Sequence, residues 1–126
     1  MSHKCVLERL ENAVGVGHPD VEGCVNGTQI WIELKTVARP AKVETVVRPK
    51  LRPSQEIWHR ERSAAGFRHN WVLMQVGDGI HRSIYLIRGI DYKALIATEA
   101  DLKLISGCLP TDDLCTVLLK AARGWE

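Results

Sequence analysis

The chain has 126 residues, 45% of them hydrophobic and 25% charged, the size and apolar content of one compact domain with its own core. A formal net charge of +2 is too small to argue by itself for a polyanionic partner, and there is neither an apolar run of membrane-spanning length nor a secretory leader, so a cytosolic protein with no membrane partner is expected. Cys5, Cys24, Cys108 and Cys115 show no Cys-x-x-Cys spacing, which disfavours a zinc ribbon or a disulfide framework and leaves reduced thiols as the expectation.

Residues 3–14 place Val6, Leu7, Leu10, Ala13 and Val14 at helical spacing before Gly15 and Gly17, and predict a short amphipathic helix. Two β-like runs, 20–25 and 28–35, flank Asn26-Gly27, the dipeptide that best meets the positive φ angles of a type I′ hairpin turn. Residues 36–53 contain Pro40, Pro49 and Pro53 and predict a long loop, a kind of segment that often carries function. Between residues 39 and 52 it is basic: Arg39, Lys42, Arg48, Lys50 and Arg52 stand against the single acid Glu44, and Arg60, Arg62 and Arg68 follow. Ser54 reads as the N-cap of a helix over 55–65, with Ile57, Trp58, Ala64 and Ala65 as inward candidates and Gly66 as its stop. Strands are predicted over 71–76 and 83–87 around Gly77-Asp78-Gly79. Helices over 91–105 and 111–122 follow, and Leu114, Val117, Leu118 and Leu119 either pack on the domain or supply a dimer interface. This order predicts a single α/β domain over 1–126, with helices flanking a mixed sheet of about four strands.

Hairpin register and strand alternation together gather the chemistry. If Val25 pairs with Thr28, Asp20 falls opposite Glu33 and His18 opposite Lys35. Gln29, Trp31, Glu33 and Lys35 then share one face, and Ile30, Ile32 and Leu34 the other. Opposed Cβ atoms lie about 4.5 to 5.5 Å apart, so two carboxylates and an ammonium meet at one end of the sheet. Such carboxylates repel unless a proton, a cation or a metal compensates them. Mg²⁺ prefers oxygen ligands and retains waters, so Asp20, Glu33 and the Leu34 main-chain carbonyl make a candidate site for phosphodiester hydrolysis, with Lys35 beside the attacking water or the phosphate. The same three residues also read as a surface salt bridge of small energetic weight.

Pro19-Asp20, then Glu33-Leu34-Lys35 in an apolar strand context, then Ser54-Gln55-Glu56-Ile57-Trp58-His59 opening a helix, resembles the signature of the PD-(D/E)XK nuclease superfamily. Over roughly residues 5–87 the combination looks like the stand-alone VRR-NUC-type and Holliday-junction-resolvase-like endonucleases common in bacteriophages. That resemblance implies a restriction-endonuclease-like core and a Mg²⁺-dependent, or Mn²⁺-dependent, endodeoxyribonuclease. It also implies a homodimer that selects branched DNA by shape, working in the host cytoplasm if phage-encoded. It implies Asp20 and Glu33 as metal ligands, Lys35 as the catalytic lysine, Gln55 as the helix glutamine beside the site, and Glu11 as the helical acid that completes it, with Glu8 as the alternative. His18 departs from the pattern and either contacts phosphate or flanks the strand. Arg48, Lys50 and Arg52, before a helix N-terminus, are candidate DNA contacts. Trp31 either stacks on a base or covers the site. The alternatives are a nickase or restriction-type nuclease with the same site, and a non-catalytic DNA-binding subunit.

Overall fold

Asn26 and Gly27 adopt φ of 50° and 85°, the conformation a two-residue hairpin turn demands. They join β2 (Val21–Val25) to β3 (Thr28–Val37) with Val25 opposite Thr28 and Val21 opposite Ile32, the register expected from the sequence. β3 pairs in parallel with β4 (Asn70–Val76). A parallel pair needs a crossover, and α1 (Pro53–Ala64) lies within it. β4 then pairs antiparallel with β5 (Ser83–Arg88). The computed structural model describes residues 5–9 and 19–124.

The sheet has one strand more than expected. Cys5–Arg9, read as part of a helix, is β1, antiparallel to β2, and the sheet order is β1-β2-β3-β4-β5. Leu7 lies opposite Gly23, and a Cβ on Gly23 would stand 2.6 Å from Leu7 Cδ2, so the missing side chain is what lets Leu7 lean across the ladder. Helical spacing over so few residues is a weak signal, and a strand edge offering backbone partners overrides it. The remainder of that predicted helix, residues 10–14 including Glu11, lies outside the described residues, as does His18.

Alternation along the strands divides the core. Val25, Ile30, Ile32, Trp71 and Leu86 turn to one face, where α3 (Leu114–Arg123) lays Val117, Leu118 and Ala121 over them. Val72, Met74, Val76, Tyr85 and Ile87 turn to the other, beneath Tyr92, Leu95 and Leu102. The apolar face of α3 therefore packs on the sheet, although Leu114 stays exposed. Asp113 caps α3 by accepting from the Thr116 N–H, and Thr98 caps α2 (Glu99–Ile105) by accepting from the Asp101 N–H. The long helix expected over 91–105 is divided into a 3-10 segment (Gly89–Leu95) and α2, because Ala97 between them bridges to Val47 of the long loop. The outer edge of β5 is covered by residues 106–110: the Gly107 N–H donates to the Leu86 carbonyl, the Leu86 N–H to Ser106 Oγ, and the Ile84 N–H to the Pro110 carbonyl. The result is an α/β architecture with a five-stranded mixed sheet flanked by helices.

α1 also departs from expectation. It begins at Pro53, whose fixed φ suits the first helical position, with Arg52 rather than Ser54 at the cap and no side-chain cap bond. Ile57, Ala64 and Ala65 are exposed, and the buried positions are Gln55 and His59. The helix faces polar groups, so its inward positions are polar. Asn70 Nδ2 donates to His59 Nδ1 at 3.0 Å, and Gly89 packs against both side chains so closely that a Cβ there would sit 2.2 Å from His59 Nδ1 and 2.3 Å from Asn70 Nδ2. Gly89→Ala is therefore expected to destabilise the fold by about 2 kcal/mol or more in chemical denaturation. A loss below about 0.5 kcal/mol, the range of an ordinary surface change, would contradict this packing.

Candidate active site

Asp20 precedes β2, and its Oδ2 accepts the Leu34 N–H at 3.0 Å. This bond holds the carboxylate against β3 just where the antiparallel ladder ends. In an extended strand the N–H and C=O of one residue leave by the same edge, so the Leu34 carbonyl also faces the side of β3 on which Asp20 lies. Glu33 is 2% exposed and turns to the α1 face. Its Oε2 accepts from Gln55 Nε2 at 2.7 Å, while its Oε1 is buried with no hydrogen-bond partner. Burial pushes the Glu33 carboxyl from 4.5 up to about 8, and the neighbouring Asp20 carboxylate pushes the same way; Lys35 and Gln55 pull weakly against them.

Lys35 Nζ donates to the Lys50 carbonyl at 2.6 Å and to Gln55 Oε1 at 2.9 Å, and lies 3.9 Å from Glu33 Oε2. Its pKa is lowered, chiefly by burial, with Arg52 and Lys50 adding to the effect while Glu33 and Asp20 oppose it. Tyr92, 1% exposed, donates its hydroxyl to Gln55 Oε1 at 2.7 Å and accepts the Arg52 N–H at 3.1 Å. The His59 ring stacks on Tyr92 with centroids 5.8 Å apart, and burial, aided by Lys35, drops its pKa to about 4, which favours the neutral imidazole.

Asp20, Glu33, Lys35 and Gln55 therefore come together as one group. Glu8 does not join them: it is exposed on β1 opposite Glu22. Glu11 lies outside the described residues. Arg48, Lys50 and Arg52 are exposed, and Lys50 and Arg52 stand near enough to act on the charge of Lys35. The N-terminus of α1 is poorer in free donors than expected, because Pro53 has no N–H and those of Gln55 and Glu56 both donate to the Arg52 carbonyl. Trp31, half-buried, packs on Trp58 with centroids 5.4 Å apart, and Arg62 lies over the Trp58 ring. Sequence reasoning missed Tyr92 and Asn70. Nothing in Gly-Ile-Asp-Tyr signals a site, and only the tertiary fold brings the Tyr92 hydroxyl to Gln55.

The donor set bears on whether a divalent cation would be held here. Among the described residues no cluster of three or more His, Cys, Asp or Glu side chains is arranged to hold a metal. A hard ion that keeps much of its water needs only one or two carboxylates, and the unpartnered Glu33 Oε1 beside Asp20 is an oxygen for which the protein supplies no donor. Comparison of the chain with protein-family models, curated proteins and solved structures gives no match.

The raised carboxyl has a definite consequence for stability. Folded Glu33 holds its proton up to about pH 8, whereas the unfolded chain releases it near 4.5, so the native state binds more protons between these values and stability falls as pH rises through that window. Without metal, the denaturation midpoint is expected to drop between pH 5 and 8.5, and Glu33→Gln should flatten that dependence. An unchanged slope in the variant would show that Glu33 is not the titrating group.

Proposed function

We propose that this chain is a divalent-metal-dependent phosphodiesterase acting on DNA, with a PD-(D/E)XK-type core and with Asp20, Glu33 and Lys35 as its catalytic residues. The observation that carries the reading is the buried Glu33 carboxyl beside Asp20, its Oε1 met by no protein donor, with Lys35 fixed two residues along the same strand. The strand order supports it: an antiparallel β1-β2-β3 unit, the α1 crossover and a parallel β4 set Glu33 and Lys35 on the central strand beneath α1.

Asp20, Glu33 and the Leu34 carbonyl would hold Mg²⁺ or Mn²⁺. When bound, such an ion supplies a water of lowered pKa and positive charge for the phosphate. The protein does the rest. Gln55 orients Glu33 through Oε2 and leaves Oε1 for the site. Lys35 has three donors, two of them committed to Lys50 and Gln55, so the ammonium is held in place to orient a nucleophilic water or to stabilise charge growing on phosphate oxygens. Arg48, Lys50 and Arg52 supply exposed positive charge for the flanking phosphates. Branched DNA, the substrate class implied by the sequence resemblance, is the leading substrate, and paired cuts across a junction would require a two-fold dimer.

Labelled four-way junctions, flaps and linear DNA incubated with Mg²⁺, Mn²⁺ or EDTA test the reading. Cleavage is expected only with the metals, and Glu33→Ala and Lys35→Ala should each lower the rate by about a hundredfold or more while junction binding persists. A folded protein that binds DNA yet cleaves nothing would instead be a binding subunit. Arg48→Ala and Arg52→Ala should each weaken DNA binding and reduce the slope of log affinity against log salt by about 0.9. An unaltered slope would remove these residues from the interface.

A further inference from the structure

We propose that Tyr92 is a positioning residue of this site: its hydroxyl fixes both the Gln55 amide and the backbone at Arg52, and so holds the Glu33 carboxyl in its orientation beside Asp20. The proposal rests on the reading of the site given above.

The orientation of an amide is set by what surrounds it. Lys35 Nζ can only donate, and it meets Gln55 Oε1 at 2.9 Å. Tyr92 adds a second donor to the same oxygen at 2.7 Å. Together they turn the amide nitrogen toward Glu33, where Nε2 donates to Oε2 at 2.7 Å. The Tyr92 hydroxyl uses its one proton for Gln55 and a lone pair for the Arg52 N–H, so it serves both at once. One hydroxyl therefore links the 50–52 segment, whose Lys50 carbonyl also holds Lys35, to the carboxylate.

Tyr92 is itself held rigidly. It is buried, its ring stacks on His59, and His59 is anchored by Asn70 in the space left by Gly89. Lys35 Nζ stands 5.8 Å from the centroid of the same ring. Loss of the hydroxyl would leave the packing in place while removing one of the two donors that fix Gln55 and the acceptor of the Arg52 N–H. Movement would then be admitted at both Gln55 and the basic segment.

The test compares wild type with Tyr92→Phe, which keeps the ring. By NMR, the Arg52 backbone amide and the Gln55 side-chain amide are expected to exchange with water about tenfold faster in the variant, as for loss of one buried hydrogen bond. Core amides such as Val72 and Ile87 should keep their protection, and the affinity for added Mn²⁺ should fall several-fold. Equal exchange at Arg52 and Gln55 in the two proteins would overturn the proposal, as would a uniform loss of protection that includes the core, because Tyr92 would then act only on global stability. In wild type the Tyr92 hydroxyl proton should show a through-space contact to Gln55, a measurement that needs no variant, and lack of that contact also overturns the proposal. If wild type binds no Mn²⁺ while the Arg52 and Gln55 amides still respond, the nuclease reading fails and the positioning role of Tyr92 stands.

Discussion

The structure of the site follows from one constraint: Glu33 is buried facing a second carboxylate. A buried carboxyl beside another is tolerated only if it keeps its proton or receives a cation, and the rise of its pKa to about 8 expresses that choice. Around it Gln55, Lys35 and Tyr92 each have defined partners. Gln55 takes one oxygen, Lys35 is tied to Gln55 and to the Lys50 carbonyl, and Tyr92 closes the network. The protein supplies partners for each of these groups and none for Glu33 Oε1. Two buried polar atoms, Glu33 Oε1 and His59 Nε2, have no hydrogen-bond partner, and of these only Glu33 Oε1 belongs to a carboxyl beside Asp20.

The fold carries this constraint at little structural expense because the hairpin fixes the register. Val21 to Val25 pair with β3, and the chain just before β2 brings Asp20 alongside Leu34 without further structure. The parallel strand β4 and the α1 crossover then cover the opposite side of β3 with Gln55, Trp58 and His59. Helix α1 buries polar residues, while the apolar burial that holds the fold lies in the two layers on either side of the sheet.

The parts of this arrangement legible from sequence are those set by local rules. Asn26-Gly27 fixed the turn, the turn fixed the pairing, and a period of two put Glu33 and Lys35 on one face. Non-local contacts were not legible. Val6, Leu7 and Leu10 carry a helical spacing, yet Cys5–Arg9 pairs as a strand because β2 offers an edge and Gly23 offers room. Ile57 looked inward by hydrophobicity, although the face of α1 is decided by what it meets, which is Glu33 and Tyr92 rather than apolar core. Tyr92 lies on a 3-10 segment with no motif around it, and its part in the site exists only in the folded chain.

The claim at the centre of this account is that Asp20 and Glu33 bind a divalent cation together. The most direct measurement is anomalous diffraction from crystals of the protein grown with Mn²⁺ above pH 8, where Glu33 is ionised. Joint binding predicts an anomalous peak coordinated by Asp20 and by Glu33 Oε1, and its loss in Glu33→Gln. Well-ordered density for both carboxylates with no peak between them, or a peak bound elsewhere in both proteins, would contradict it.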